Sequence, residues 1–433
     1  MPLSRRDFLE RFALSASTAA LGLSSLAARA AEPTSFTVPL GKAESCIFLW
    51  LGGGACHIDT WDPKQKGDGL QKPGSYYDAI PTAIPGVNVC QHLSRMAKVL
   101  DRTALIRTIH HDVIDEHAAA VNRLHTGRPV SETVVYPSVG SIIAHERGAR
   151  QLGAPAYVVM GYPNVTRGPG FLGSKYGYIY LTETDSGPNG LVRPADVGDA
   201  RQQRRERLLG KLREDFLQKN AGDRLLADYA AVSVEGLRLA RPEFMRVFDL
   251  KSETDQVREE YGGEFGQRCL LARRLVESGV RFTEVSFNLN FVNGTGWDTH
   301  RDGQKQQHLL IEQLDQALAA LIVDLETRKL LDKTLIVVAT EFGRPPEFDA
   351  GGGRGHHPKC FSVLLAGGGL KLGQAIGTTD ELGKKIVDRP VSVADLHATI
   401  HTAMGTDPAK ELYAGDRPVP ITDGGKPVRE LFA

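Results

Sequence analysis

The chain has 433 residues, with 52 Lys and Arg against 52 Asp and Glu, so its formal net charge is zero. That balance gives no electrostatic reason to expect nucleic acid or an anionic membrane as a partner. The apolar share of 41% and the 46 glycines suit a large α/β protein with ample core.

In chain order, a targeting segment comes first. Ser4-Arg5-Arg6-Asp7-Phe8-Leu9 has the form of a twin-arginine signature, a weakly apolar stretch runs from Phe12 to Leu26, and Ala28-Arg29-Ala30 forms an Ala-x-Ala cleavage pattern. The expectation is a signal peptide over 1–30, export by the twin-arginine machinery, and a periplasmic single domain over 31–433. The apolar stretch is broken by Ser, Thr and Gly, which makes it a poor membrane span, and no second span is visible.

The first core strand is Cys46–Leu51, a continuous apolar run that leads into Gly52-Gly53-Gly54. Glycines at a strand end permit tight turning and close backbone approach to a ligand. The polar groups that follow are Cys56, His57, Asp59 and Asp62. Cys56 reads as a nucleophile or as a buried small thiol. Asp59 reads as a ligand or as a turn residue, and turn chemistry is the better reading for Asp62-Pro63. The five cysteines (Cys46, Cys56, Cys90, Cys269 and Cys360) are scattered and lack a Cys-x-x-Cys pair, against a disulfide framework.

A second strand, Thr103–Ile109, precedes His110-His111-Asp112, and a helix is expected from Asp115 to the stop at Gly127. His117 then falls in the first turn, near the strand ends, where a nucleophile or ligand gains from the helix dipole. His125, two turns on, reads as structural. Tyr136–Glu146 is expected as a helix and Ala156–Met160 as a strand. From about 161 to 263 the chain reads as an irregular and helical excursion outside the core sheet, with the charge run at Ala200–Leu217 read as a solvated face.

Order returns with a helix at Gln267–Gly279, a strand at Arg281–Phe287, and a long helical pattern at Leu309–Leu331. Between the last two lies Gly296-Trp-Asp298-Thr-His300. A buried strand, Leu335–Ala339, is followed by Thr340-Glu341-Phe342-Gly343-Arg344, then a glycine-rich turn and Arg354-Gly-His356-His357. Phe361–Ala366 is the last core strand and Asp395–Met404 the last helix. Alternating strands and helices predict a mostly parallel sheet with helices on both faces. Ligands in such sheets bind beyond the carboxyl ends of the strands. A carboxylate there, flanked by Asp-x-His before and His-His after, is the donor set of a hydrolytic metal centre.

The order of these pieces resembles the alkaline phosphatase and sulfatase superfamily. Within it, the chain resembles the bacterial exported family called domain of unknown function 1501. The blocks that carry the likeness are Gly53–Lys64, Cys269–Arg281, Gly296–His300, Thr340–Arg344 and Ala394–Ile400. The resemblance implies a three-layer α/β sandwich with a mostly parallel central sheet. It also implies a divalent ion (zinc, manganese, iron or calcium) and a sulfate or phosphate ester substrate, small or polysaccharide.

Asp298 and His300 look like superfamily ligands, at a shorter spacing than usual. Glu341-Phe342-Gly343 stands where sulfatases place Asp-His-Gly, His356 matches a late histidine ligand, and Gly355 replaces an Asp common in the family. Leu124–Pro129 looks like the block after the sulfatase nucleophile, which puts the nucleophile position on His117. There is no Cys-x-Pro-x-Arg motif, and Gly52-Gly53 replaces the first-strand Asp pair, leaving Asp59 as its stand-in. The expected ligands are Asp298, His300, Glu341 and His356, with Asp59 and His117 beside them. Water on the ion, Cys56 or the His117 position would supply the nucleophile. Arg344 would bind an anionic ester or serve in a structural ion pair. The alternative is a non-catalytic binding or scaffold protein on an inactivated hydrolase fold.

Overall fold

Strand β1 (Ser45–Trp50) is buried along its whole length. Ile47 and Leu49 turn to one side and Cys46, Phe48 and Trp50 to the other, so both faces of the strand are covered. The other strands of the same sheet are β2 (Thr103–His110), β3 (Tyr157–Met160), β4 (Ile179–Leu181), β5 (Phe282–Ser286), β6 (Thr334–Ala339), β7 (Phe361–Gly367), β8 (Gln374–Ile376) and β9 (Val391–Ser392). This is a computed structural model that describes residues 38–161, 165–184, 187–188, 194, 196–287, 296–301 and 303–432. The signal-peptide expectation at 1–30 lies outside the described residues. Pro39–Ala433 form one compact unit.

The order across the sheet is β8-β2-β7-β6-β1-β5-β3-β4, with β9 also against β2. Every pairing is parallel except the two that β7 makes, with β2 and with β6. The mostly parallel α/β sheet expected from the sequence is present. The reversal of β7 sends Gly367-Gly368-Gly369 to the amino-terminal edge of its neighbours, while Cys360 lies near their carboxyl ends. Two expectations change. Ile179–Leu181, inside the supposed excursion, joins the sheet as its edge strand. Asp115 is not helical: it sits at a left-handed φ of 57°.

Helices cover both faces, giving three layers. On one side pack α1 (Ser94–Val99), α7 (Glu264–Glu277) and α8 (His308–Thr327). The apolar positions of α8 recur at helical spacing, and Leu310, Leu314, Leu318, Leu321 and Leu325 are fully buried. Each such burial contributes about 1.5–3 kcal/mol. On the other side pack α2 (His117–Thr126), α3 (Val139–Arg147) and α9 (Val393–Ala403) through Leu124, Ile143, Leu396 and Ile400. Glu116 caps α2 by accepting from Ala118 N at 2.9 Å and Ala119 N at 2.6 Å, and Gly127 ends it at φ 71°. Helices α4 (Asp199–Lys219), α5 (Arg224–Leu239) and α6 (Asp255–Tyr261) follow the edge strand in the chain.

Loops from the carboxyl ends of β1, β2, β5 and β6 meet at one edge. Gly53 is held at φ 113°, and a Cβ on it would lie 2.6 Å from Asp298 N. Only glycine lets the β1 loop lie so close to the loop that carries Asp298. Gly53→Ala is therefore expected to cost about 1–3 kcal/mol of stability. Denaturant unfolding measures it, and an unchanged midpoint would refute the need for that approach.

Candidate metal centre

Glu341 follows β6 by two residues, and its side chain is almost fully buried. Its Oε1 accepts from Gly53 N at 2.7 Å and contacts His117 Nδ1 at 2.8 Å. The position of His117 is fixed by the start of α2, immediately after the Glu116 cap. Thr340 ties the same corner together: its hydroxyl donates to Leu51 O at 2.9 Å and accepts from Ala55 N at 2.9 Å. His111 adds a contact from Nε2 to Glu341 O at 2.6 Å.

The loop after β5 brings in Asp298 and His300, and the turn before β7 brings in His356. Arg354 N donates to Thr299 O at 2.7 Å, and Gly343 and His357 exchange backbone hydrogen bonds at 3.1 and 2.9 Å. These bonds clamp the His356 segment between the loops after β5 and β6. His117, Asp298, His300 and His356 then offer four ligand atoms that all lie within 4.8 Å of one another.

Asp298 Oδ1 is the hub. It lies 3.1 Å from His300 Nε2, 3.4 Å from His117 Nε2 and 3.9 Å from His356 Nε2, and the Nε2 atoms of His300 and His356 are 3.0 Å apart. Bonds of about 2.0–2.1 Å place the corners of a tetrahedron about 3.3–3.4 Å apart. The observed spacings bracket that edge. Each histidine also turns its Nδ1 to a carboxylate: His117 to Glu341 at 2.8 Å, His356 to Asp115 at 2.8 Å, and His300 to Asp349 at 3.5 Å. The first is a hydrogen bond, and the other two are ion-pair contacts without hydrogen-bond alignment. A carboxylate behind a ligating histidine fixes its tautomer and orientation. The four residues present thus fit a divalent ion with nitrogen and oxygen donors.

Electrostatics support the grouping. Burial works against protonation of His117, but the carboxylates of Asp298 and Glu341 outweigh it and hold the imidazole up at about 9. Burial also raises the Asp298 carboxyl, yet His117, His356 and Arg344 hold it well below the usual carboxylate range. Arg344 is wholly buried. It donates to Asp298 Oδ1 at 2.6 Å, Gly54 O at 2.9 Å and Arg354 O at 2.8 Å, and it also reaches Gly53 O.

The model of the family described as Protein of unknown function (DUF1501) matches residues 43–432. The chain belongs to this family. Among curated proteins there is no match. Solved structures that match include the lipoteichoic acid synthase LtaP from Listeria monocytogenes, at 9% identity, covering 91% of this chain and 78% of that one with a TM-score of 0.42. Ps i-CgsB in complex with k-i-k-neocarrahexaose matches at 12% identity, over 86% and 73% of the two chains, with a TM-score of 0.40. A protein in the alkaline phosphatase superfamily from Vibrio parahaemolyticus matches at 10% identity, over 85% and 69%, with a TM-score of 0.34.

Several expected roles in this DUF1501 chain need correction. Asp59 is no stand-in ligand: both its oxygens are taken by Arg354, at 3.0 and 3.2 Å, with Tyr76 N and Gln304 as further donors. Of the two readings of Cys56, the structure fits the buried small thiol: it is fully buried, and burial, reinforced by the charge of Asp59, pushes its thiol well above the ordinary range. Arg344 serves the ion-pair role rather than anion binding, because its donors are already engaged. Glu341 stands behind His117 instead of beside Asp298, and His117 Nε2 lies 3.4 Å from Asp298 Oδ1. The sequence reading missed Asp115 and Asp349. Asp115 was legible as a carboxylate two residues before His117, but its pairing with His356 depends on a left-handed backbone that no local pattern announces.

His117 carries the pH prediction. Its folded value of about 9 lies above the ordinary 6.5, so its paired charge stabilises the metal-free protein fully below pH 6.5 and that contribution is lost as pH rises through about 9. A metal must displace the same proton. Apparent zinc affinity is therefore expected to rise about tenfold per pH unit between pH 7 and 9, with release of close to one proton. Titration calorimetry in two buffers checks this, and a pH-independent affinity would refute the assignment of His117 as a ligand.

Proposed function

We propose that the chain is an exported, divalent-metal-dependent hydrolase of sulfate or phosphate esters. The observation that carries the reading is the convergence of three histidine Nε2 atoms on Asp298 Oδ1, each histidine with a carboxylate at its Nδ1. His117, Asp298, His300 and His356 would hold the ion. When bound, it supplies Lewis acidity toward an ester oxygen and lowers the pKa of water. Glu341 keeps the His117 Nδ1 proton and so aims Nε2 at the ion's position. Asp115 and Asp349 add negative charge beside His356 and His300 from the solvent side, through ion-pair contacts and not hydrogen bonds. Phe342, fully buried, lies 4.8 Å from the His117 ring and 4.4 Å from the His356 ring, and its apolar face limits water around both. The leader pattern over 1–30 supports export through the twin-arginine pathway to the periplasm, leaving 31–433 as the mature domain. Among the described residues no helix is long and apolar enough to cross a membrane.

A second reading has one observation in its favour. The guanidinium of Arg344 already contacts Asp298 Oδ1 at 2.6 Å and His300 Nε2 at 3.4 Å. A buried arginine in that place can neutralise Asp298 without any ion, as in a binding or scaffold protein on an inactivated fold. Elemental analysis of the purified protein separates the two. The hydrolase reading expects about one divalent ion per chain, lost in Asp298→Ala and His356→Ala, with aryl sulfate or phosphate ester hydrolysis lost alongside. Glu341→Gln is expected to keep the fold and weaken metal affinity about 10–100-fold. A wild-type protein that takes up no ion after supplementation would sink the hydrolase reading in favour of the scaffold.

A further inference from the structure

Helix α4 spans 21 residues and buries none of them. Its positions 201, 205, 208, 212, 215, 216 and 219 share one face at helical spacing and read Arg, Arg, Leu, Leu, Asp, Phe, Lys. Leu208 is 61% exposed, Leu212 58% and Phe216 52%. The half-buried positions are Gln202, Glu206, Gly210, Arg213 and Leu217, so three of the five inward positions are polar while Leu208, Leu209, Leu212 and Phe216 face out. That inverts the usual pattern of a surface helix. The helix holds seven basic against four acidic side chains, with Arg201, Arg204, Arg205 and Arg207 crowding its first half. The neutral balance of the whole chain hides this local surplus. On α5, Leu225 and Tyr229 are also exposed, one turn apart.

We infer that α4 is a docking surface for an anionic lipid bilayer, on which the helix lies in the plane of the headgroups. The four apolar side chains Leu208, Leu209, Leu212 and Phe216 enter the acyl boundary, and the arginines engage lipid phosphates. Charge favours the bilayer as the occupant, because the surplus of basic over acidic side chains on the helix complements lipid phosphates. The apolar arc decides against a soluble polyanion, which would leave the leucines and the phenylalanine in water. Attachment of this kind is peripheral and needs no spanning helix.

The test is co-sedimentation of the full chain with vesicles of phosphatidylglycerol and phosphatidylcholine, beside phosphatidylcholine alone. Binding is expected only with the anionic lipid and should weaken with salt. The variant Leu208→Ser/Leu212→Ser/Phe216→Ser and the variant Arg204→Gln/Arg205→Gln/Arg207→Gln should each lower partitioning about tenfold or more. Because these side chains are exposed, both variants should keep wild-type thermal unfolding. No binding, or binding that survives both variants, overturns the proposal. So does light scattering that shows a wild-type dimer and a monomeric apolar variant, which would assign the face to a second copy. Binding displaced by heparin and indifferent to the apolar variant would assign it to a soluble polyanion.

Discussion

One carboxylate oxygen, Asp298 Oδ1, governs the geometry of the carboxyl edge. It accepts from a wholly buried guanidinium, and three imidazole nitrogens lie within 3.9 Å of it. A buried arginine is tolerated only when its donors are satisfied. Arg344 finds acceptors in the loop after β1, in Asp298 after β5, and in the segment before β7. Satisfying one side chain therefore fixes three loops against one another. The histidines inherit that rigidity, since His300 and His356 sit on two of those loops. Pre-positioned donors lose little on capturing an ion, which is what a metal centre requires.

The sheet explains why these loops meet at all. β1 lies between β5 and β6, so the loop after β1 is flanked by the loops that carry Asp298 and Glu341. β7 reverses direction between β6 and β2, so the chain enters it from the same edge and delivers His356 and His357 on the way in. A parallel β7 would have put that segment at the far end of the sheet. Glu341 uses the arrangement twice: it holds Gly53 N of the neighbouring strand's loop and His117 of α2. The close approach of Gly53 to Asp298 is the steric counterpart of that contact.

Much of this was readable from residues alone. Continuous apolar runs at 46–51 and 335–339 mark buried parallel strands because both faces carry side chains to cover. Asp298, His300 and His356 were recognisable because carboxylate and imidazole at strand ends have few structural uses in common. Glu341 was read beside Asp298 and lies behind His117, because sequence order does not say which of two adjacent donors reaches the cluster and which stands behind. Asp59 misled because a strand-end position shows nothing of Arg354, 295 residues away, that takes up its carboxylate. Short edge strands such as Ile179–Leu181 carry too few residues for any period to register.

The charge around Asp298 bears on whether an ion belongs there. Asp298, Glu341, Asp115 and Asp349 are four carboxylates gathered about three histidines, and Arg344 is the one guanidinium bonded to that group. Asp115 and Asp349 are partly solvated, so their effect is screened. Even so, the negative side prevails, and without a metal His117 must hold a proton to relieve it. In the metal-free protein the Glu341 carboxylate stabilises the His117 imidazolium, and carboxylates behind ligating histidines would orient the rings toward an ion. Their presence behind all three rings, together with ligand spacings near a tetrahedral edge, is what a dication needs once a guanidinium has taken part of Asp298. If an ion binds there, Arg344 would share Asp298 with it and so reduce the charge donated to the ion, which would leave that ion the stronger Lewis acid.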